Sequence, residues 1–124
     1  MESMLIIADG VEIEEFERRL APVGPSSSDP IVVESGHDVT YLYESPSAGC
    51  YINDSIGNVL HEFSDPRFYL LDYRGIELVK KVIMLIADDV RVFVDNDHGA
   101  ALSGPAFVQK IKDNPAWDWL LPYR

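Results

Sequence analysis

Apolar side chains recur along this chain in two ways: as short runs that read as strands, and at three- to four-residue spacings that read as helices. Residues 4–8 (MLIIA) are an uninterrupted apolar run, the mark of a buried strand, and Asp9-Gly10 breaks it. Val11, Ile13, Phe16 and Leu20 then fall near one face of a helix that reaches about Ala21, with Glu12, Glu14, Glu15 and Glu17 largely elsewhere. Asp9 and Glu12 have the spacing of a capping box, and Arg18-Arg19 suits the negative end of the helix dipole. Pro22 and Gly24 stop the helix, and PVGPSSSDP (22–30) reads as an exposed connector. Residues 31–34 and 39–44 (VTYLYE) make two strands joined at Ser35-Gly36-His37, a hairpin.

Residues 45–66 carry conflicting signals. Ile56, Val59, Leu60 and Phe63 have helical spacing, Val59, His61 and Phe63 alternate like a strand, and Gly57-Asn58 weakens a helix. Some order is expected there, because a structureless loop of about 20 residues is unusual in a compact domain. Residues 67–73 form a strand. Ile76, Val79, Val82, Ile83 and Ile86, widened by Leu78 and Leu85, form the broad apolar face of a well-buried helix. Asp88-Asp89 ends that helix, an unfavourable place for acids, and starts the turn into a strand over 90–94. DNDHG is a second turn, where Gly99 takes a positive φ cheaply and Asn96 tolerates one. Residues 100–102 return as a strand. Ser103-Gly104-Pro105 opens a last helix with Phe107, Val108 and Ile111 on its apolar face, and Asn114-Pro115 ends it before an aromatic tail.

This order predicts an α+β fold, a mixed sheet with helices on one face. Two stretches, 3–45 and 66–104, share a β-α-β-β plan and suggest tandem units. Right-handed crossovers would set the first strand parallel to 31–34, and 67–73 parallel to 90–94. Asp9, Glu34, Asp72 and Asp95, each following an apolar strand, would then share one sheet edge, with Asp97 and His98 nearby.

Composition sharpens the functional side. A length of 124 residues fits one domain able to bury a core without disulfides or metal. The net charge is −11, and it is uneven: residues 1–62 hold twelve acids and two bases, the remainder nine acids and eight bases. Such a surface repels nucleic-acid phosphates and anionic membranes and attracts a basic protein. The surface residues expected to meet one are Glu12, Glu14, Glu15 and Glu17, with Glu34, Asp38 and Glu44. The single Cys50 forbids an intrachain disulfide. With no basic leader at the N-terminus and no apolar run near 20 residues, the expected location is the cytoplasm.

Candidate chemistry is sparse. Asp72, Asp95, Asp97 and His98 could offer oxygen and nitrogen ligands to a divalent cation, or serve a small hydrolytic site. DNDHG resembles an EF-hand opening only superficially, since Gly99 replaces the third oxygen ligand and no glutamate closes the loop. The ordinary role of strand-end acids is to cap turns and helices. Cys50 with His37 or His61 lacks the surroundings of cysteine enzymes, and no serine elbow, phosphate loop or dinucleotide fingerprint occurs. The expectation is therefore a protein without catalytic residue, metal or cofactor. In the tail (115–124), Trp117, Trp119 and Tyr123 suit either an interface, such as a homodimer contact, or a flap folded back over the core.

The small size, the acidity, the lone cysteine, the lack of a catalytic motif and the pattern FYLLDYRGIELVKKVI…VFVDNDHG…WDW together resemble the small acidic immunity-type proteins of bacterial polymorphic toxin systems. Those families span several folds, so the resemblance assigns no site residue. It implies an inhibitor that binds a cognate toxin, often a basic nuclease, by charge and shape complementarity. A non-enzymatic binding module is thus the leading expectation, ahead of a metal-binding or hydrolytic domain and of a homodimeric structural module.

Overall fold

The computed structural model describes residues 1–51, 57 and 60–121. The apolar run becomes β1 (Glu2–Asp9), a strand near the middle of a seven-stranded sheet. The others are β2 (Ser27–Ser28), β3 (Ile31–Ser35), β4 (Asp38–Glu44), β5 (Pro66–Arg74), β6 (Val92–Asp95) and β7 (Ala101–Ser103), in spatial order β2-β3-β4-β5-β1-β6-β7. Alternation sends Met4, Ile6 and Ala8 to one face and Leu5 and Ile7 to the other. Both faces are covered along most of β1, which is why its sequence is apolar without interruption.

Three helices, α1 (Ile13–Arg19), α2 (Ile76–Ile86) and α3 (Gly104–Asp113), cover one face. Phe16 and Leu20 from α1, the Ile76-Val79-Val82-Ile83-Ile86 stripe of α2, and Phe107, Val108 and Ile111 of α3 bury against Met4, Ile6, Tyr69, Leu71 and Tyr73 of the sheet. The α+β class agrees with the expectation, and these three helices share one face, although Leu60, also helical, packs on the other.

The strand directions do not. Every neighbouring pair is antiparallel. β5 and β6 do run the same way, but β1 lies between them, so α2 crosses over a strand instead of joining neighbours. β3 runs opposite to β1, because a strand hidden in the polar connector, β2, makes the first return after α1. The two β-α-β-β stretches therefore share a local plan but not a topology. The hairpin of the first enters through its second strand, β4 beside β5, and that of the second through its first strand, β6 beside β1.

Local details also moved. α1 starts after Glu12, without a side-chain cap, and Asp9 instead accepts the Asp65 backbone N–H at 2.7 Å. Ser103 caps α3 by accepting from the Ala106 N–H, with Pro105 in the first turn. Of the two acids after α2, Asp89 ties the helix end to two arginines. Arg19 donates to the Ile86 carbonyl at 2.9 Å and to Asp89 at 2.8 Å, closing the C-terminus of α2, while Arg91 reaches Asp89 from the other side. Hydrogen bonds from Arg91 and then Arg19 hold the Asp89 carboxyl well below the usual carboxylate range.

The tail closes the helical face. Trp119 is 5% exposed, donates its indole N–H to the Tyr73 hydroxyl at 2.8 Å, and meets Tyr73, Phe107 and Trp117 edge-on. Lys80, itself buried, donates to the Pro115 carbonyl at 2.8 Å and ties the tail to α2. Trp119 thus packs into the core, and Trp117 is half-buried beneath Lys110. Tyr123 lies outside the described residues. Among the described residues no helix is long and apolar enough to cross a membrane.

Candidate functional site

The face opposite the helices is covered only in part. Leu60 and Phe63, with Leu5 and Phe68, pack on Ile7 and Phe93. Toward the end of the sheet where β1 begins, a hollow of 320 Å³ remains. Its described lining is Leu5, Leu70, Ala48, Ser3, Met4, Asp95 and Asp97. Leu5 and Leu70 face each other across the β1–β5 pairing, and Leu5 faces Asp95 across the β1–β6 pairing, so three neighbouring strands supply the floor and one acidic wall.

Tyr41 and Tyr43 of β4 stand beside this floor on the same face, both half-buried. Asp72 is anchored between them and β1: the Ser3 hydroxyl donates to it at 2.5 Å and the Tyr43 hydroxyl at 2.9 Å. Burial, and then the Asp72 carboxylate, push the Tyr43 phenol above its ordinary pKa. The β6–β7 turn presents the other acids. Asp95 accepts the Asp97 backbone N–H at 2.9 Å, and Asn96, fully buried, accepts from the His98 and Ala100 N–H groups. The positive φ values fall at Asp97 (61°) and Gly99 (92°), not at Asn96, which closes the turn with its side chain. His98 lies 3.4 Å from Glu2.

Of the four strand-end acids, Glu34, Asp72 and Asp95 reach the same end of the sheet, whereas Asp9 lies at the other, because β1 runs opposite to β3, β5 and β6. Asp72 and Asp95 share a face but flank β1, on the order of 10 Å apart by strand spacing, while a cation needs its ligands within roughly 2–2.6 Å. Among the described residues no three His, Cys, Asp or Glu side chains come together as a metal site, which sets the Asp72/Asp95/Asp97/His98 cation reading aside.

The remaining predicted acids do not form one surface. Glu15 is paired with Arg18 at 2.6 Å and Arg19 at 3.5 Å, and hydrogen bonding to Arg18 lowers its pKa. Glu44 takes both ends of the Arg67 guanidinium, at 2.9 and 3.0 Å, and Glu12 approaches the same arginine at 3.6 Å. Glu17 accepts from Ser28 at 3.3 Å, and Glu14 is exposed. Glu34 and Asp38 sit at the far end of the β3–β4 hairpin. Asp38 lies against Gly75, ahead of α2, where a Cβ would meet its carboxyl at 2.1 Å. A carboxylate there also complements the positive end of the helix.

Sequence reasoning missed the hollow. Its signal was the alternation Ser3-Leu5-Ile7 and Leu70-Asp72 on the face away from the helices, with Tyr41-Tyr43 in step. The molecule is thus an acidic α+β protein with one sheet face sealed by helices and an acidic, tyrosine-flanked hollow on the other. No family model, no curated protein and no solved structure matches it.

Proposed function

We propose that this protein is a binding module for a basic protein, acting as an immunity-type inhibitor acts on a basic toxin. The observation that carries the reading is the open end of the sheet, where Asp95 and Asp97 wall an apolar floor beside two tyrosines. Tyrosine at the centre of a contact and charge at its rim is the composition of energetic interface patches. The net charge of −11 would steer a basic partner toward the molecule and speed encounter. The same reading places it in the cytoplasm, where the single Cys50 stays a thiol.

The test is capture of a partner from the source cell, followed by affinity measurement on the purified pair. A basic partner whose affinity drops about tenfold or more between low and high salt is the expected result. An affinity insensitive to salt, or a partner of acidic charge, overturns the proposal.

A further inference from the structure

Among the described residues, the hollow on the open sheet face joins carboxylates that no cation of the chain reaches to an apolar floor, whereas the hollow beside Glu14 and Glu17 also holds Arg18. At the opposite end of the sheet, Glu12, Glu15, Glu44 and Asp89 are each met by an arginine of this chain. No lysine or arginine lies among the described residues that line the hollow. Asp95 uses one carboxylate oxygen on the Asp97 N–H, and no cation of the chain reaches its other oxygen or the Asp97 carboxylate among the described residues. Beneath these oxygens lie Leu5, Leu70 and Ala48, an apolar floor. The volume of 320 Å³ is at the low end for ligand pockets and leaves room for one long side chain.

From this we infer that the hollow receives an arginine side chain of the basic partner, its methylenes on Leu5, Leu70 and Ala48 and its guanidinium between Asp95 and Asp97. Arginine suits the place better than lysine. Its planar fork bridges two carboxylates, and it is more weakly hydrated than an ammonium, so it gives up water more readily over an apolar floor. The half-buried Tyr41 and Tyr43 extend the contact on one side, as aromatic neighbours of a buried anchor do. Asp72 takes no part, because Ser3 and Tyr43 already hold it.

This inference rests on the binding-module reading but is tested apart from it. The probe is butylguanidinium, an arginine side chain without its backbone, titrated into the full chain and followed by methyl NMR. Saturable shifts confined to Leu5, Leu70 and Ala48 are expected. The Asp95→Asn/Asp97→Asn double variant should weaken binding by about fivefold, the scale of an exposed ion pair. Asparagine keeps the acceptor of the turn and tolerates the positive φ at 97, so the fold is retained. The Glu12→Gln/Glu14→Gln variant, with the same loss of charge, should change affinity less than twofold by the same scale. Shifts spread over the whole surface, equal effects of the two double variants, or tighter binding of butylammonium each overturn the inference. A partner that binds with strong salt dependence yet ignores Asp95→Asn/Asp97→Asn sinks the arginine pocket and leaves the module standing.

Discussion

Replacing Trp119 by alanine separates a tail that is core from a tail that is an interface. The indole is 5% exposed, sits edge-on to Tyr73, Phe107 and Trp117, and donates to the Tyr73 hydroxyl at 2.8 Å. Truncating a buried tryptophan costs about 3–5 kcal/mol, from lost apolar burial and the cavity left behind. The hydrogen bond contributes about 1 kcal/mol of its own. Against a typical domain stability of about 5–15 kcal/mol, that is a large share. With a urea slope of about 1–3 kcal/mol/M, the unfolding midpoint should fall by roughly 2 M. Urea titration followed by fluorescence reads this directly, since Trp117 remains as the only tryptophan and reports from the same cluster. Leu121→Ala, at a position 60% exposed, is the control and should shift the midpoint little. A Trp119→Ala chain that unfolds within about 0.3 M of the parent but changes its oligomeric state would refute the reasoning.

Three further outcomes follow from the core and its ends. Burial pushes the Tyr69 phenol up to about 12, with its O–H donating to the Val11 carbonyl at 2.6 Å. The folded state therefore holds this proton more tightly than the unfolded chain, whose tyrosine titrates near 10. The stabilisation is complete below pH 10 and disappears as pH rises from about 10 to about 12, a loss of roughly 2–3 kcal/mol. Tyr69→Phe should remove that part of the stability-versus-pH curve, and a parallel curve for parent and variant through this range would be wrong for this account. Asp89→Asn should destabilise the chain at neutral pH by about 1–3 kcal/mol, because Arg19 and Arg91 lose their shared carboxylate. With its folded pKa depressed, Asp89 stabilises above the ordinary carboxylate pKa and ceases to as pH falls through and below it. The gap between variant and parent should then close in acid, which thermal melts at several pH values would show. Gly104→Ala would place a Cβ 1.9 Å from the Ala87 carbonyl oxygen, and backbone cannot move aside as a side chain can. A drop in stability of about 1–3 kcal/mol by chemical unfolding is expected, despite the better helix propensity of alanine.

The helical face was legible because a buried helix writes its face into the sequence. The stripe Ile76-Val79-Val82-Ile83-Ile86 admits one orientation, and all five residues are buried. β2 was not legible, since Ser27-Ser28 is two exposed polar residues whose strand character comes only from pairing with Ile31 and Val32. Missing it reversed the inferred direction of β3 and so set Glu34 at the same end of the sheet as Asp9. The trait shared by 3–45 and 66–104 was local, and local pattern does not encode which strand of a hairpin docks. For the hollow, alternation along β1 and β5 was available, but a run such as MLIIA conceals it by being apolar on both faces.

Charge shows most clearly why position along the chain misleads. Counting by halves made residues 1–62 the acidic surface. The fold interleaves the halves, with β5 between β4 and β1, and β1 between β5 and β6. Arginines of the second half therefore reach carboxylates of the first, as Arg67 does for Glu44 and Glu12. The reverse also occurs, with Arg19 on Asp89. Such pairing engages Glu12 and Glu44, while on α1, among the described residues, only Glu15 is paired, by Arg18 and Arg19 of the same helix. Asp95 and Asp97 are among the acids these arginines do not meet, and they wall a hollow whose floor takes Leu5 from the first half and Leu70 from the second.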